Sequence, residues 1–227
     1  MTAPDRLLAR PGSPTAAGAA GLHKLPLGGR RDSYIFVPEG VSARQPAPLV
    51  LLLHGAGGHA HDGLRVLLHL AEHAGLILLA PASHGSTWDI IAGRSYGPDL
   101  DLADRALEWV FARHAVDPGR LAVGGFSDGA SYALSLGLNN GDLFTHVLAF
   151  SPGFIGPGTR RGKPRVFISH GTRDAILPIG PCGRSIARRL RAEGYPLEYL
   201  EFDGEHVIPP EAGRAAVDLL CGQPGAA

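Results

Sequence analysis

The chain has 227 residues, of which 44% are hydrophobic, enough for one large domain with a substantial core. Its 21 basic and 21 acidic residues cancel, which argues against a nucleic-acid or anionic-membrane surface. No run approaches the roughly 18 apolar residues of a membrane span, so no membrane partner is expected.

Residues 1–21 are rich in proline, glycine, alanine and threonine, and predict a disordered N-terminal tail. Because this stretch lacks the apolar run of a signal peptide, we expect a cytoplasmic protein. Residues 22–222 are expected to form a single domain. Two cysteines, Cys182 and Cys221, are too few for a fold that depends on disulfides, although one disulfide between them is possible.

Strand-like and helix-like segments alternate along the rest of the chain. This alternation predicts an α/β fold with a mostly parallel central sheet and helices on both faces. The apolar run at 49–53 has no polar alternation and is typical of a strand covered on both faces. The predicted strands are 22–27, 33–37, 49–53, 76–79, 121–123, 147–150, 166–168 and 197–202, and the predicted helices are about 64–71, 102–115, one beginning at 130, 185–192 and 213–220.

Two pentapeptides match the pattern G-x-S-x-G, one around Ser127 and one around Ser95. The first lies between a predicted strand and a predicted helix, the position of a nucleophile elbow, where flanking glycines permit a tight and strained turn. The second lies in a loop with no such sharp turn. The context therefore favours Ser127 as a nucleophile.

A serine hydroxyl needs a base, and the base needs a carboxylate that fixes its tautomer. The loops after two later predicted strands supply Asp174 and His206, and the carboxyl ends of parallel strands meet at one edge of the sheet. Asp203 is a rival acid, but the glycine after it favours a simple turn. His170 fits a structural or site-bordering residue.

The same chemistry needs two backbone N–H groups that stabilise the developing negative charge. The N–H of Asp128, at the start of the helix after the elbow, supplies one. The loop after the 49–53 strand reads His-Gly-Ala-Gly-Gly, and we assign the second N–H to Ala56.

These motifs, at 54–58, 125–129, 170–174 and 204–206, resemble the α/β-hydrolase superfamily, and within it the small phospholipase/carboxylesterase and dienelactone-hydrolase-like branch. The resemblance spans roughly residues 34–220. It implies a serine esterase or thioesterase that needs no cofactor and acts on a small-molecule ester. The dienelactone hydrolases proper use a cysteine, so Ser127 points away from that activity.

The stretch between the predicted strands at 147–150 and 166–168 is too short for a helical cap, so we expect an open site for small or short-acyl esters. The oligomeric state stays open, a homodimer included. Five side chains are expected to form apolar walls of the site: Trp88, Phe154, Ile176, Leu177 and Val207.

Other functions remain as alternatives. Acyl transfer to an acceptor other than water would use the same residues, and a non-catalytic binding protein could share the fold. Residues 69–73 match the H-x-x-E-H pattern of some zinc peptidases, and His59, His61 and Asp62 could hold a metal. Both groups fit a solvent-facing helix and the rim of the glycine loop better, so no metal site is predicted.

Overall fold

The computed structural model describes residues 5–16, 18–28, 30–41 and 45–222. The elements follow one another in the alternating order that the sequence predicts. The strands are β1 Gly21–Lys24, β2 Tyr34–Val37, β3 Ala47–Leu53, β4 Ile77–Ala80, β5 Val116–Phe126, β6 His146–Phe150, β7 Arg165–Gly171 and β8 Leu197–Phe202. The helices are α1 Ala60–Arg65, α2 Leu68–Ala74, α3 Asp89–Ala92, α4 Pro98–Phe111, α5 Asp128–Asn139, α6 Ser185–Ala192 and α7 Pro210–Cys221.

All eight strands form one sheet in the order β1-β2-β4-β3-β5-β6-β7-β8. The pairs β1–β2 and β2–β4 are antiparallel, and the remaining pairs are parallel. Every residue of β3, β4 and β6 is buried, as a strand with helices on both faces requires. The predicted fold class is confirmed.

The helices divide the core into two layers, one on each face of the sheet. Apolar residues of α4, α5 and α6 pack against one face, and those of α1, α2 and α7 against the other. The strands contribute alternate residues to the two layers: Leu51 and Leu53 belong to the first, and Leu52 to the second.

Several element boundaries differ from those the sequence predicts, and two of these differences have a clear backbone cause. The single helix expected over about 64–71 is two short helices, because the backbone leaves helical geometry at Leu67, whose φ is −130°. The helix expected to reach 115 ends at Phe111, and residues 117–119 lie within β5 instead of closing that helix. Proline and glycine at 118 and 119 accompany a register irregularity between β3 and β5.

The prediction of a disordered tail is wrong for residues 5–16, which pack against the rest of the domain; residues 1–4 and 17 lie outside the described part. Leu7 is fully buried, and its N–H donates to the Asn140 Oδ1 at 2.9 Å. Arg6 forms an ion pair with Asp142 at 2.6 Å. The sequence does not predict this packing, because Leu7, one of the few apolar residues of the segment, bonds to a residue 133 positions away.

Among the described helices, none is long and apolar enough to cross a lipid bilayer. Cys182 and Cys221 are both free thiols.

Candidate active site

Ser127 lies in a strained turn between β5 and α5. Its φ of 58° and ψ of −120° place a non-glycine residue in a region that L-amino acids rarely adopt. The glycines on either side leave no room for a side chain. A Cβ at Gly125 would lie 2.5 Å from the carbonyl oxygen of Leu53, and one at Gly129 would overlap the same oxygen. The sequence therefore folds here into a tight turn that only glycine permits at both flanks.

Asp174 and His206, which follow β7 and β8, form a hydrogen-bonded pair in which the carboxylate is buried and the imidazole is partly buried. The His206 Nδ1 lies 2.6 Å from the Asp174 Oδ2, and the other oxygen, Oδ1, accepts the N–H groups of Leu177 at 2.8 Å and Ile176 at 3.0 Å. Burial alone would raise the pKa of Asp174, but the hydrogen bonds from His206, Leu177 and Ile176 together hold that pKa below its ordinary value. The carboxylate is therefore charged at neutral pH and fixes the imidazole with Nδ1 protonated.

His170 is a second imidazole at the same carboxylate. Its Nε2 donates to the Leu177 carbonyl at 2.7 Å and lies 3.3 Å from the Asp174 Oδ2. Burial lowers the pKa of His170, which favours the neutral ring. His170 is fully buried and holds the loop that contains Asp174. This contact fits the structural role, one of the two that the sequence suggests for it.

The elbow and the histidine loop lie side by side. The rings of Phe126 and His206 have centroids 4.6 Å apart, and Phe126 directly precedes Ser127. The His206 Nε2 is buried and has no hydrogen-bond partner among the described residues, so it makes no hydrogen bond to the Ser127 hydroxyl in this structure. Such bonds commonly tighten only when substrate is bound.

The glycine loop after β3 lies against the elbow. A Cβ on Gly55 would be 3.5 Å from the Ser127 Cβ. The N–H groups of Gly57 and Gly58 are engaged, with Ser86 O at 2.7 Å and Gly55 O at 3.1 Å. Within the described ranges, the Ala56 N–H donates to no backbone carbonyl, and neither does the Asp128 N–H at the start of α5. These two donors are free to bind an oxyanion.

His54 anchors the start of that loop. Its Nδ1 donates to the Gly55 carbonyl at 2.8 Å, and its Nε2 accepts the Ser83 N–H at 3.0 Å. Burial lowers the pKa of His54, so the ring is neutral and makes both bonds with one fixed tautomer. The loop after β3 is thereby joined to the loop after β4.

The prediction that Trp88 is a wall of the substrate site is wrong. The side chain is fully buried, its Nε1 donates to the His54 carbonyl at 2.8 Å, and its ring stacks on Tyr132 of α5 with centroids 5.1 Å apart. A buried indole needs an acceptor for its N–H, and the oxyanion loop supplies one here. Trp88 therefore holds the loop after β3 to α5, the helix that follows Ser127.

The other expected walls are accessible. Phe154, Ile176 and Val207 expose 38%, 69% and 48% of their surface, although large apolar residues are usually buried, and Leu177 is partly buried. Ile176 and Leu177 follow the acid, and Val207 follows the base, so these apolar groups adjoin the candidate catalytic residues. Residues 151–164, between β6 and β7, contain no helix, and no cap covers the site from there.

The rival serine and the rival acid lie apart from this constellation. Ser95 is exposed in the loop between α3 and α4, with no hydrogen bond to a histidine in the described chain. Asp203 is exposed and forms an ion pair with Arg173. The structure places the Asp174–His206 pair against Phe126, the residue before Ser127, and leaves both rivals exposed.

The two suggested metal-binding groups are not assembled. His69, Glu72 and His73 are exposed on α2, whereas His59 accepts a hydrogen bond from Arg31 at 2.7 Å. Across residues 5–16, 18–28, 30–41 and 45–222, no three His, Cys, Asp or Glu side chains are grouped to hold a metal ion.

Thr87 is a site residue that sequence reasoning misses. Its hydroxyl donates to the Asp128 Oδ2 at 2.5 Å, which fixes the carboxylate of the residue after the nucleophile. No sequence signal marks this threonine, because its importance depends on the loop after β4 folding back onto α5.

Comparisons with known proteins agree with this fold. Three solved structures share the fold, at identities too low to carry more than that. A substrate-bound fluorophosphonate-binding serine hydrolase of Staphylococcus aureus is 16% identical with a TM-score of 0.70, covering 91% of this chain and 99% of that one. A ferulic acid esterase of Anaeromyces mucronatus, in complex with ferulic acid, is 18% identical with a TM-score of 0.61, covering 90% of each chain. A phospholipase/carboxylesterase of Dyadobacter fermentans is 20% identical with a TM-score of 0.61, covering 90% of this chain and 97% of that one.

No curated protein matches the sequence significantly. A family model described as "Putative esterase" matches residues 26–179, more than half of the chain. The predicted resemblance to the esterases of the α/β-hydrolase superfamily is confirmed, and the chain belongs to this Esterase family.

Proposed function

We propose that this protein is a serine carboxylic-ester hydrolase that works through an acyl-enzyme. One observation carries the proposal: Ser127 stands in a strained elbow, and the His206 ring, held by Asp174 at 2.6 Å, packs on the adjacent Phe126 with no hydrogen-bond partner for its Nε2 among the described residues. A serine nucleophile, a neutral imidazole base and a buried carboxylate are the groups that ester hydrolysis by acyl transfer requires.

In the proposed reaction, the His206 Nε2 removes the hydroxyl proton as the Ser127 oxygen attacks the ester carbonyl. Asp174 stabilises the imidazolium that forms. The same Nε2 then protonates the leaving alcohol, and the acyl group stays on Ser127. A water molecule, deprotonated by His206, releases the acid and restores the serine.

The negative charge on the substrate oxygen is stabilised by the N–H groups of Ala56 and Asp128. Neither donates to a backbone acceptor in the described chain, and Gly55 keeps the loop within contact of the Ser127 side chain. Loss of one such donor costs about 3 kcal/mol of transition-state stabilisation in comparable enzymes. The turn at Ser127 and the glycine loop therefore each supply one donor to the same oxyanion.

The substrate class that fits is a small or short-acyl ester, or the exposed end of a larger one. No helical cap covers the site from residues 151–164, and Phe154, Ile176 and Val207 offer apolar contact at its edge. Esterases and a ferulic acid esterase among the structural neighbours agree with an ester substrate.

The test is a panel of p-nitrophenyl esters of increasing acyl length, together with matched thioesters, on the purified protein. Wild-type protein should hydrolyse short acyl esters fastest and should be labelled on Ser127 by a fluorophosphonate. A protein that neither hydrolyses the panel nor takes the label would contradict the proposal.

Adding a competing alcohol separates hydrolysis from acyl transfer. If the acyl group goes to water, the free acid stays the main product at increasing methanol concentration. A main product that is the methyl ester at low methanol would identify an acyltransferase with the same catalytic residues.

A further inference from the structure

Arg31, in the segment between β1 and β2, makes an unusual set of contacts. One guanidinium donates to the carbonyl oxygens of Gly58, of Ser83 at 3.2 Å and of Gly85 at 2.7 Å, and also to the Ser83 hydroxyl at 3.2 Å. Its Nη2 lies 2.7 Å from the Nδ1 of His59. Arg31 has no carboxylate partner within the described ranges, so its charge is directed entirely at main-chain and neutral side-chain acceptors.

These acceptors belong to two loops that border the candidate active site. Gly58 and His59 end the oxyanion loop that begins at His54, and Ser83 and Gly85 belong to the loop after β4 that carries Thr87 and Trp88. Arg31 therefore bridges the loop that supplies the Ala56 N–H and the loop that braces Asp128.

Few other bonds hold the far side of the oxyanion loop. Gly57 donates to Ser86 O at 2.7 Å, and Gly58 donates back to Gly55 O within its own loop. The Gly57 φ of 70° is a left-handed conformation that glycine adopts at little cost, so the local sequence alone does not rigidify this turn. The contacts of Arg31 add a second external hold, on the residues that follow Gly57.

A guanidinium suits this task better than an ammonium group. It presents five donors in one rigid plane, and so it can hold several carbonyl groups at once in a fixed arrangement. A lysine in the same place could satisfy one or two of these acceptors from a flexible stem.

We propose that Arg31 is a positioning residue that clamps the oxyanion loop so that the Ala56 N–H points at the developing charge on the substrate. The inference rests on the proposed function, since it assigns a role in the same reaction. Arg31 acts through the loop and does not touch the reacting atoms.

Arg31→Ala should lower kcat for a p-nitrophenyl short-chain ester by about tenfold or more, because a misdirected donor stabilises the transition state poorly. KM should change by less than about threefold, since the interaction is made mainly in the transition state. The kcat of Arg31→Lys should lie between those of Arg31→Ala and the wild type. The second-order rate of fluorophosphonate labelling should fall together with kcat, because the phosphonyl oxygen needs the same donors.

Arg30→Ala is the matched control. Arg30 is the exposed neighbour of Arg31 and lines the same open cavity of about 470 Å³, so its loss removes an equal charge from the same surface. We expect kcat of this variant to equal that of the wild type. An equal loss of kcat in both variants would assign the effect to surface charge and overturn the clamp.

The open cavity also allows chemical rescue. Methylguanidinium at about 10 mM, far below denaturing concentrations, should restore part of kcat to Arg31→Ala, whereas methylammonium at the same concentration should not. A purely structural loss, seen as a parallel fall in kcat, thermal unfolding temperature and soluble yield without rescue, would contradict the proposal. If Arg31→Ala does not fold, the kcat of Arg31→Lys tests the proposal instead. A reduced kcat would support the clamp, and a wild-type kcat would contradict it.

Failure of the clamp and failure of the proposed function give different results. An active wild type that loses activity in Ser127→Ala but keeps full kcat in Arg31→Ala contradicts the role of Arg31 alone. A wild type that hydrolyses no ester and takes no fluorophosphonate contradicts both.

Discussion

The pattern G-x-S-x-G occurs twice in the chain, and the two copies differ in their structural surroundings. Around Ser127 the backbone is strained, the flanking glycines are packed against Leu53, and a histidine–carboxylate pair lies beside the turn. Around Ser95 the serine is exposed, and a Cβ on Gly93 would approach no atom closer than 3.3 Å. Arg94, beside Ser95, also has a positive φ of 59°, so the comparison teaches that crowding at the flanking glycines, which the motif does not record, separates the two turns.

The largest expected effect is on the serines themselves. Ser127→Ala should lower kcat for a short p-nitrophenyl ester by about 10⁵-fold or more and abolish fluorophosphonate labelling, because the hydroxyl that we propose as the nucleophile is removed. Ser95→Ala should keep wild-type values in both assays. Activity lost in Ser95→Ala and kept in Ser127→Ala would reverse the comparison.

The next effect concerns the acid. Asp174→Asn should lower kcat by about 10³- to 10⁴-fold, because an amide no longer fixes the tautomer of His206 or stabilises its charged form. Asp203→Asn provides the matched carboxylate, since Asp203 is exposed and pairs with Arg173 on the surface. Steady-state kinetics of the two variants should differ by at least about a thousandfold; similar values would remove Asp174 from the mechanism.

The glycines offer a test of crowding that does not depend on chemistry. Gly129→Ala should lower the free energy of unfolding by about 3 kcal/mol or more, because the new Cβ overlaps the Leu53 carbonyl. Gly93→Ala should change it by less than about 1 kcal/mol, since its φ of −117° suits alanine. Urea unfolding measures both, and equal losses would show that the elbow is no more tightly packed than the loop at Ser95.

The smallest expected effect is on the pH dependence of stability, and it concerns the end of the strands opposite to Ser127. His146 begins β6, far along the strand from the edge that carries Ser127, and burial with Arg165 nearby lowers its pKa from 6.5 to about 4. As the pH falls, the unfolded chain takes up this proton first, so stability is lost between about pH 6.5 and pH 4, by up to about 3 kcal/mol.

His146→Gln should flatten this part of the stability curve, measured by urea unfolding at successive pH values. His73→Gln, on the exposed face of α2, should leave the slope of the wild type unchanged. A slope that is equal in the wild type and in His146→Gln would contradict the effect.

Sequence patterns predict the features of the fold that depend on local order. The apolar runs at 49–53 and 147–150 indicate buried parallel strands, and residues placed after strands converge at one edge, which brings Asp174 and His206 together. The roles of Trp88 and Arg31 could not be predicted in this way. Each role depends on which distant carbonyl groups accept the hydrogen bonds of the side chain, and the sequence pattern does not indicate those acceptors.

The N-terminal segment has a consequence for how the domain is made. Asn140, at the end of the helix that starts beside Ser127, accepts the Leu7 N–H and donates to the Asp5 carbonyl at 2.9 Å. These partners are 133 and 135 residues apart in the chain, so Asp5 and Leu7 are synthesised well before Asn140. We expect these contacts to form late in folding, because they join such distant parts of the chain, and the C-terminal end of α5 gains its last hydrogen bonds only then.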